Sequence, residues 1–290
     1  MSDEGMPLPW TEREVDFPSL DGLRLRGTLA SPAAPTGPAP VILVHGGGVT
    51  RDEGGFFTAL ARQLAAAGLP CLRFDLRGHG ASQGRQEDLT LASVLNDIRG
   101  AVDALHGLPE APHSLPVAPQ GAVNLLGTSF AGGIAAYFAA VHPASVRRLV
   151  LCNPLLEYKK RFIDDKPYWH EEHLDAEAAA ELNRRGFLAH SPSFRLGRAL
   201  LNEIFYLRPE EVLGRVQAPT LFLHGTADTF VSVESSRHHV GVVAGPARLI
   251  EIEGAQHGFA VPEDPAYRDP QTQLWHAQVI GEIVAWFAAG

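Results

Sequence analysis

Cysteine is scarce in this chain: the 290 residues include two, Cys71 and Cys152. Both sit in apolar, strand-like surroundings (Leu69-Pro70-Cys71-Leu72 and Leu149-Val150-Leu151-Cys152) and read as small core hydrophobes. Neither has metal-ligand spacing, and no disulfide framework is implied. Basic residues are outnumbered, 24 Lys and Arg against 33 Asp and Glu, giving a formal net charge of −9. They are scattered rather than massed. Nucleic acid and anionic membrane surfaces need a concentrated basic face, so neither is an expected partner. The segment Met1-Ser2-Asp3-Glu4-Gly5 is acidic, without the basic and apolar regions of a signal peptide, and no apolar run is long enough to span a bilayer. A cytoplasmic location is the expectation. Gly-Lys-Ser/Thr and Gly-x-Gly-x-x-Gly are both missing, which argues against a phosphate-cradling loop. Among 13 histidines, the neighbours His238 and His239 cannot converge on one ion from a single helix. No metal and no other cofactor is expected. There is also no internal repeat.

What remains is an ordinary globular composition, 45% hydrophobic and 20% charged, able to bury a sizeable core. Residues 1–12 read as a loose arm. Residues 14–17 and 23–30 alternate apolar and polar side chains around Asp21-Gly22, the pattern of an antiparallel edge hairpin. A loop rich in Pro and Ala follows over 31–40. The run Val41-Ile42-Leu43-Val44 is apolar throughout, as in a strand buried on both faces of a parallel sheet. Helical spacing over 56–67, a strand over 71–76, a helix over 92–105 and a Pro-rich loop (Pro109, Pro112, Pro116, Pro119) lead to a strand beginning at Val123. A small-residue helix and a buried strand over 146–152 follow. Strand and helix alternate, which predicts a three-layered α/β fold with a parallel sheet.

The pattern changes over 153–215. No clear strand is visible there, only aromatics, mixed charges and short helical pieces such as 175–185. The stretch is too long for a loop. It is expected to be a lid inserted into a core formed by residues 1–152 and 216–290. Among its aromatics, Trp169, Phe187 and Phe205 are the candidates for lining a pocket. Alternation resumes with a strand over 219–225, a helix over 233–243, a strand over 248–252 and a closing helix over 271–288.

Chemistry concentrates in loops that follow strands. Val123-Asn124-Leu125-Leu126-Gly127-Thr128-Ser129-Phe130-Ala131-Gly132-Gly133 is an apolar run that turns into a helix with a serine at the apex. Such an elbow raises the hydroxyl above the sheet, and its flanking residues must be small. Ala131 stands where glycine is usual. Asp228 and His257 occupy two later loops, so the chain order is Ser, Asp, His. A serine is a poor nucleophile until an imidazole takes its proton, and a carboxylate must hold that imidazole in one tautomer. His45-Gly46-Gly47-Gly48 follows the first apolar strand, and its glycines let N–H groups turn into a cavity. Gly47 and Phe130 are the backbone donors expected to bind an oxyanion. Asp75 competes for the acid's role, but it precedes the elbow. Asp264, Asp269, Glu251 and Glu253 read as solvated charges.

His45-Gly46-Gly47, Arg77-Gly78-His79-Gly80, Gly127-Thr128-Ser129, His224-Gly225-x-x-Asp228-x-x-Val231 and the His257 loop stand in the order and spacing of one family. The chain resembles the α/β-hydrolase superfamily over nearly its whole length, and within it the cinnamoyl/feruloyl esterases and serine-aminopeptidase-like hydrolases. The resemblance implies a mostly parallel central sheet with helices on both faces and an inserted helical lid. It implies Ser129 as nucleophile, Asp228 as orienting acid and His257 as base. His45 and His79 become loop-structuring residues. Phe130 departs from the Gln, Met or Leu frequent at its position, which alters the pocket wall and keeps the main-chain donor. The expected activity is hydrolysis of a small-molecule carboxylic ester through an acyl-enzyme, with an apolar or aromatic acyl group. Amide or thioester hydrolysis, acyl transfer and a non-hydrolytic binding role stay open, as does a homodimer.

Overall fold

In the computed structural model, which describes residues 9–107 and 121–289, the chain enters at the antiparallel edge of the sheet. β1 (Trp10–Pro18) and β2 (Arg24–Pro32) pair antiparallel from Trp10↔Pro32 to Pro18↔Arg24, and Gly22 (φ 83) turns the chain between them. Residues 10–12 therefore belong to a strand and not to the loose arm expected of them. Polar residues at 11–14 hide that strand in the sequence. In the fold the Glu12 carboxylate meets Arg73 at 3.3 Å and Arg62 at 3.4 Å, and Arg62 also lies 5.7 Å over the Trp10 ring. Charges of this kind suit an edge strand, which must not invite further pairing.

The alternating half of the fold follows expectation. β3 (Val41–Val44), α1 (Phe56–Ala66), β4 (Cys71–Phe74), α2 (Leu91–Gly107), β5 (Val123–Thr128), α3 (Phe130–Val141) and β6 (Val146–Cys152) succeed one another. Every residue of β3, β4 and β5 is buried, the reason β3 reads as a continuous apolar run and β4 and β5 are apolar apart from Arg73, Asn124 and Thr128. Cys71 and Cys152 are free, buried and packed among apolar neighbours, and burial pushes both thiols well above their usual range. The Pro-rich loop expected near Pro112 lies outside the described residues.

Residues 153–215 are not purely helical. They hold two small antiparallel hairpins, β7 (Trp169–His170) with β8 (His173–Leu174) and β9 (Phe187–Ser191) with β10 (Phe194–Gly197). α4 (Ala176–Arg185) and α5 (Arg198–Glu203) accompany them. The strands are too short to show a clear period. Yet Leu188, Phe194 and Leu196 are buried, and they join the same apolar cluster as α2 and α3. None of these four strands joins the main sheet. The α4 helix starts where expected because the Asp175 side chain accepts the Ala178 N–H at 2.7 Å.

β11 (Thr220–Gly225), α6 (Val233–His239), β12 (Ala247–Ile252) and α7 (Pro270–Ala288) close the chain. The α6 helix ends earlier than its apolar pattern suggests, and the chain reaches β12 through Gly241 and Gly245-Pro246. The eight strands run in the order β1-β2-β4-β3-β5-β6-β11-β12, with the six from β4 to β12 parallel. α1 and α7 contact each other, as do α2 and α3, and the sheet separates two apolar clusters that include these pairs. No helix among the described residues is long and apolar enough to cross a membrane. Register decides where the loops emerge. Val44 lies opposite Gly127, Gly127 opposite Leu151, Cys152 opposite Leu223, and Gly225 opposite Ile252. The loops after β3, β5, β11 and β12 therefore open at one edge of the sheet.

A buried ion pair ties that edge to the first hairpin. Asp97 on α2 is fully buried, and it accepts from Arg77 Nη2 at 2.6 Å and Nε at 3.0 Å. Arg77 also donates to Asp21 Oδ2 at 2.7 Å and Ser19 Oγ at 2.9 Å. Removing one partner leaves an uncompensated buried charge, which is far worse than removing both. Arg77→Leu should therefore lower the unfolding free energy by about 3–5 kcal/mol. In urea titrations Arg77→Leu/Asp97→Leu should recover part of that loss, and a single variant as stable as wild type would disprove the pairing.

Candidate active site

Ser129 sits between β5 and α3 with φ 48 and ψ −118, a backbone region that L-residues occupy only under constraint. The constraint is visible. The Ser129 N–H donates to Cys152 O at 2.9 Å, and the Ser129 carbonyl accepts from Gly132 and Leu155 N–H, both at 2.9 Å. Gly127 must be small because a methyl group there would lie 2.6 Å from Ala131 O and 2.8 Å from Ala135 Cβ. Gly132 is small for another reason: a methyl on it would meet Pro154 at 2.5 Å, in the segment leaving β6, and not the turn itself. The result is a serine whose backbone is fixed at the head of a buried helix.

Asp228 and His257 reach it from the loops after β11 and β12. His257 Nε2 lies 2.9 Å from Ser129 Oγ, and Nδ1 lies 2.6 Å from Asp228 Oδ2. A carboxylate only accepts, so Nδ1 carries the proton and Nε2 offers its lone pair to the hydroxyl. Asp228 Oδ1 accepts from Phe230 N–H at 2.7 Å and Val231 N–H at 2.9 Å, which fixes the carboxylate plane. Burial alone would raise the Asp228 carboxyl. The hydrogen bonds from His224 and His257, the electrostatic attraction of the His257 ring and the Val231 N–H outweigh it and hold the group well below the carboxylate range. His224, buried beneath, is itself fixed by Ser236 Oγ at 2.7 Å and Val231 O at 2.9 Å. The Phe230 ring stacks on His257 at 5.1 Å.

The glycine loop after β3 supplies the other side. Gly46 N–H donates to Glu53 Oε1 at 2.7 Å, and Gly48 N–H donates to His79 Nε2 at 3.2 Å. Between them, the Gly47 N–H has no protein acceptor among the described residues, and Gly47 lines the cavity that holds Ser129 and His257. Phe130, first residue of α3, likewise has an N–H without a protein acceptor among the described residues. His45 and His79 organise this loop, stacking edge to face at 5.3 Å. His45 Nε2 accepts from Leu76 N–H at 2.9 Å while Nδ1 meets Gly46 O at 2.7 Å. Burial, then His79, pushes the His45 imidazole down, so it stays neutral. Asp75 is fully buried in the same structural role, accepting from Arg51 Nη1 at 2.5 Å and Ala81 N–H at 2.9 Å, and it does not reach His257's position as orienting acid.

The cavity at Ser129 measures about 130 Å³, with Val49, Phe56, Phe259, Asn153, Glu53 and Tyr267 among its walls. Trp169, Phe187 and Phe205 are not among them, contrary to expectation. Trp169 packs edge to face on Phe205 at 5.9 Å, and Phe187 lies between the Arg185 and Arg195 guanidinium groups. The aromatic of 153–215 that reaches the site is Phe194: a methyl on Gly47 would lie 2.8 Å from its ring. Nor does the Phe130 ring line this cavity. It is buried against Phe194 at 5.0 Å, Tyr158 at 5.5 Å and Phe162 at 6.3 Å. Three of the four charges read as merely solvated also have partners. Asp264 accepts from Arg268 and Asp269 N–H, Asp269 caps α7, and Glu251 pairs with Arg237 at 2.5 Å. Glu53, Phe230 and Tyr267 went unseen in the sequence. Glu53 precedes two glycines, which reads as a polar turn, and only the fold brings it to the serine.

A model of the alpha/beta hydrolase fold matches residues 39–200, more than half of the chain and spanning β3 to α5. The chain belongs to the α/β-hydrolase fold family. The hydrolase is 26% identical over 301 residues to a monoacylglycerol lipase of Mycolicibacterium smegmatis, covering 96% of this chain and 98% of that one. It is 30% identical over 145 residues to the polyketide transferase grgF of Penicillium sp, covering 50% of this chain and 45% of that one. Among solved structures, Est1E from Butyrivibrio proteoclasticus with ferulic acid bound superposes with a TM-score of 0.73 at 21% identity, over 94% of this hydrolase and 99% of Est1E.

The lowered Asp228 carboxyl has a consequence for stability. A group whose folded value lies below its unfolded one stabilises the fold above the unfolded value, about 3.9 for Asp, and loses that contribution as pH falls through the folded value. The stability advantage of wild type over Asp228→Asn should therefore be constant near neutrality and shrink below about pH 4. Urea midpoints measured from pH 7 to pH 3 check this, and an advantage that grows in acid would contradict it.

Proposed function

We propose that this α/β-hydrolase is a serine hydrolase that cleaves carboxylic esters of small molecules through an acyl-enzyme. One observation carries the reading: a continuous hydrogen-bond chain, Asp228 to His257 to Ser129, ends at a cavity where the Gly47 N–H lacks an acceptor. Ser129 Oγ attacks the ester carbonyl as His257 Nε2 takes its proton. The carbonyl oxygen becomes an oxyanion that the Gly47 and Phe130 N–H groups stabilise. Asp228 balances the imidazolium without itself taking a proton. His257 then protonates the leaving alkoxide, which departs as the alcohol. In the second half, water loses a proton to His257 and attacks the acyl carbon; the acyl–Oγ bond then breaks, His257 returns the proton to Ser129 Oγ, and the acid leaves. Residues 153–215 act as the lid over this edge, with β9–β10 as the part that reaches the site. Val49, Phe56 and Phe259 give the cavity apolar walls, which favour an apolar acyl group.

Acyl transfer is a second reading, supported by the similarity to the polyketide transferase grgF over half of this chain. The two share the acyl-enzyme and differ in the acceptor that resolves it. The test is to incubate the protein with a fluorophosphonate and with p-nitrophenyl esters of increasing acyl length, beside Ser129→Ala. Wild type should label at Ser129 and release p-nitrophenol, and Ser129→Ala should do neither. Asp228→Asn should keep the fold and lose about 10⁴-fold in kcat, the loss typical of removing a triad carboxylate. Adding an alcohol acceptor separates the readings, since a transferase yields new ester in place of free acid. Wild type that neither labels nor turns over any ester would refute the proposal.

A further inference from the structure

Glu53 is a carboxyl that the steps above do not use. It lines the Ser129 cavity, and no ion pair to a Lys or Arg is present among the described residues. Its Oε1 accepts two hydrogen bonds, from the Gly46 N–H at 2.7 Å and from the Thr128 hydroxyl. These two donors come from different strands' ends. Gly46 immediately precedes the Gly47 donor in the loop after β3, and Thr128 immediately precedes Ser129 at the end of β5. A methyl group placed on Gly46 would sit 3.2 Å from Ser129 Cβ and 3.4 Å from Glu53 Oε1, so serine, loop and carboxyl meet at one point.

The backbone is shaped to deliver this side chain. Glu53, Gly54 and Gly55 all have positive φ, 44, 64 and 104. A non-glycine residue in that region is costly and persists only where its surroundings hold it. Here the holding contacts are the two hydrogen bonds and the packing of Gly54, where a methyl would lie 2.6 Å from the Tyr267 ring. Burial pushes the carboxyl above its usual value, and the hydrogen bonds from Thr128 and Gly46 and the attraction of His257 offset this only in part.

We propose that Glu53 is a positioning residue of the hydrolase: its Oε1 clamps the glycine loop to the nucleophile strand, and so fixes the Gly47 N–H relative to Ser129 Oγ. The role rests on the serine-hydrolase reading, because it matters only if an oxyanion forms there. With Oε1 occupied as an acceptor by Gly46, the loop's next N–H is turned from Glu53 toward the cavity. Losing the clamp frees Gly46 N–H to take another acceptor and lets Gly47 swing.

The clamp needs an acceptor oxygen and no charge, so glutamine should serve and alanine should not. For a p-nitrophenyl ester, Glu53→Ala should lower kcat about 10²-fold, the scale of a misplaced reacting group, with KM within about twofold. Glu53→Gln should keep kcat within about fivefold of wild type, since its amide oxygen accepts the same two bonds. Thr128→Val removes one donor and leaves the Gly46 bond, and should fall between them. Glu53→Ala/Thr128→Val should be no slower than Glu53→Ala alone. Fluorophosphonate labelling taken to completion counts folded sites, so a slow but fully labelled variant separates positioning from misfolding. Wild type active and Glu53→Ala equally active overturns the clamp alone. Glu53→Gln as slow as Glu53→Ala also overturns it and assigns the effect to charge. An inactive, unlabelled wild type overturns the hydrolase reading instead.

Discussion

Much of this structure hangs on one strained residue. Ser129 occupies a left-handed backbone region that costs of order 1–3 kcal/mol, and three hydrogen bonds from three separate segments hold it there. The Cys152 carbonyl belongs to the neighbouring strand, the Gly132 N–H to the following helix, and the Leu155 N–H to the first residues of 153–215. Each is placed by burial: β5 and β6 are buried together, and α3 is apolar almost throughout. The elbow is therefore a product of the core, and the chain beyond β6 is aimed by the elbow. This is why small residues recur there, at Gly127 against Ala131 and at Gly132 and Gly133 against Pro154 and Leu155.

Three buried carboxylates and the half-buried Glu53 organise the rest of the sheet edge, each with its own set of donors. Asp97 answers Arg77, Asp75 answers Arg51 and Ala81, Asp228 answers Phe230, Val231 and His257, and Glu53 answers Gly46 and Thr128. None is a surface pair of little worth. Each joins a loop to another element, so the loops after β3, β4, β11 and β12 are cross-braced to one another, to α2 and to the end of β5. The two histidines of the glycine loops do the same as neutral groups. His79 accepts from Gly48 N–H, and His45 accepts from Leu76 N–H.

What the sequence made legible follows from range. β3 is buried on both faces and written in four consecutive apolar residues, and the inner halves of β5 and β6 are apolar too (Leu125-Leu126 and Leu149 to Cys152), so these strands need no partner to be seen. Ser129 and Asp228 were legible because each stands in a loop after a fully buried strand, His257 because it follows the last strand of the alternation, the edge strand β12, and parallel register brings these loops to one edge. Glu53 was not legible. Its meaning depends on two donors 7 and 75 residues away along the chain. The first residues of β1 were hidden because their ion pairs lie on Arg62 and Arg73, far along the chain. The hairpins of 153–215 were hidden because strands of two to five residues carry too few alternations to outweigh their turns. Phe194 was visible as one aromatic among many, and no local pattern sets it apart from Phe187.

The position of Phe194 ties residues 153–215 to the Ser129 site. Gln86, in the segment between β4 and α2, accepts from Arg195 N–H at 2.8 Å and donates to Ser193 O at 3.1 Å, so it holds the tip of the β9–β10 hairpin from both sides. The same Gln86 side chain lies 3.0 Å from His79 Nε2, the atom that accepts from Gly48. Hairpin, glycine loop and the chain after β4 thus form one packed unit, with the Phe194 ring pressed on Gly47 and the Phe130 ring pressed on Phe194. In the proposed mechanism these apolar contacts carry the alignment of the two N–H donors: Phe194 bears on Gly47 and stacks with Phe130. Motion of this hairpin would disturb both donors together. Under the proposed mechanism, movement that admits a substrate while keeping both donors aligned would fall to the rest of 153–215 or to the loop after β11, where Phe230 stacks on His257 and is 56% exposed.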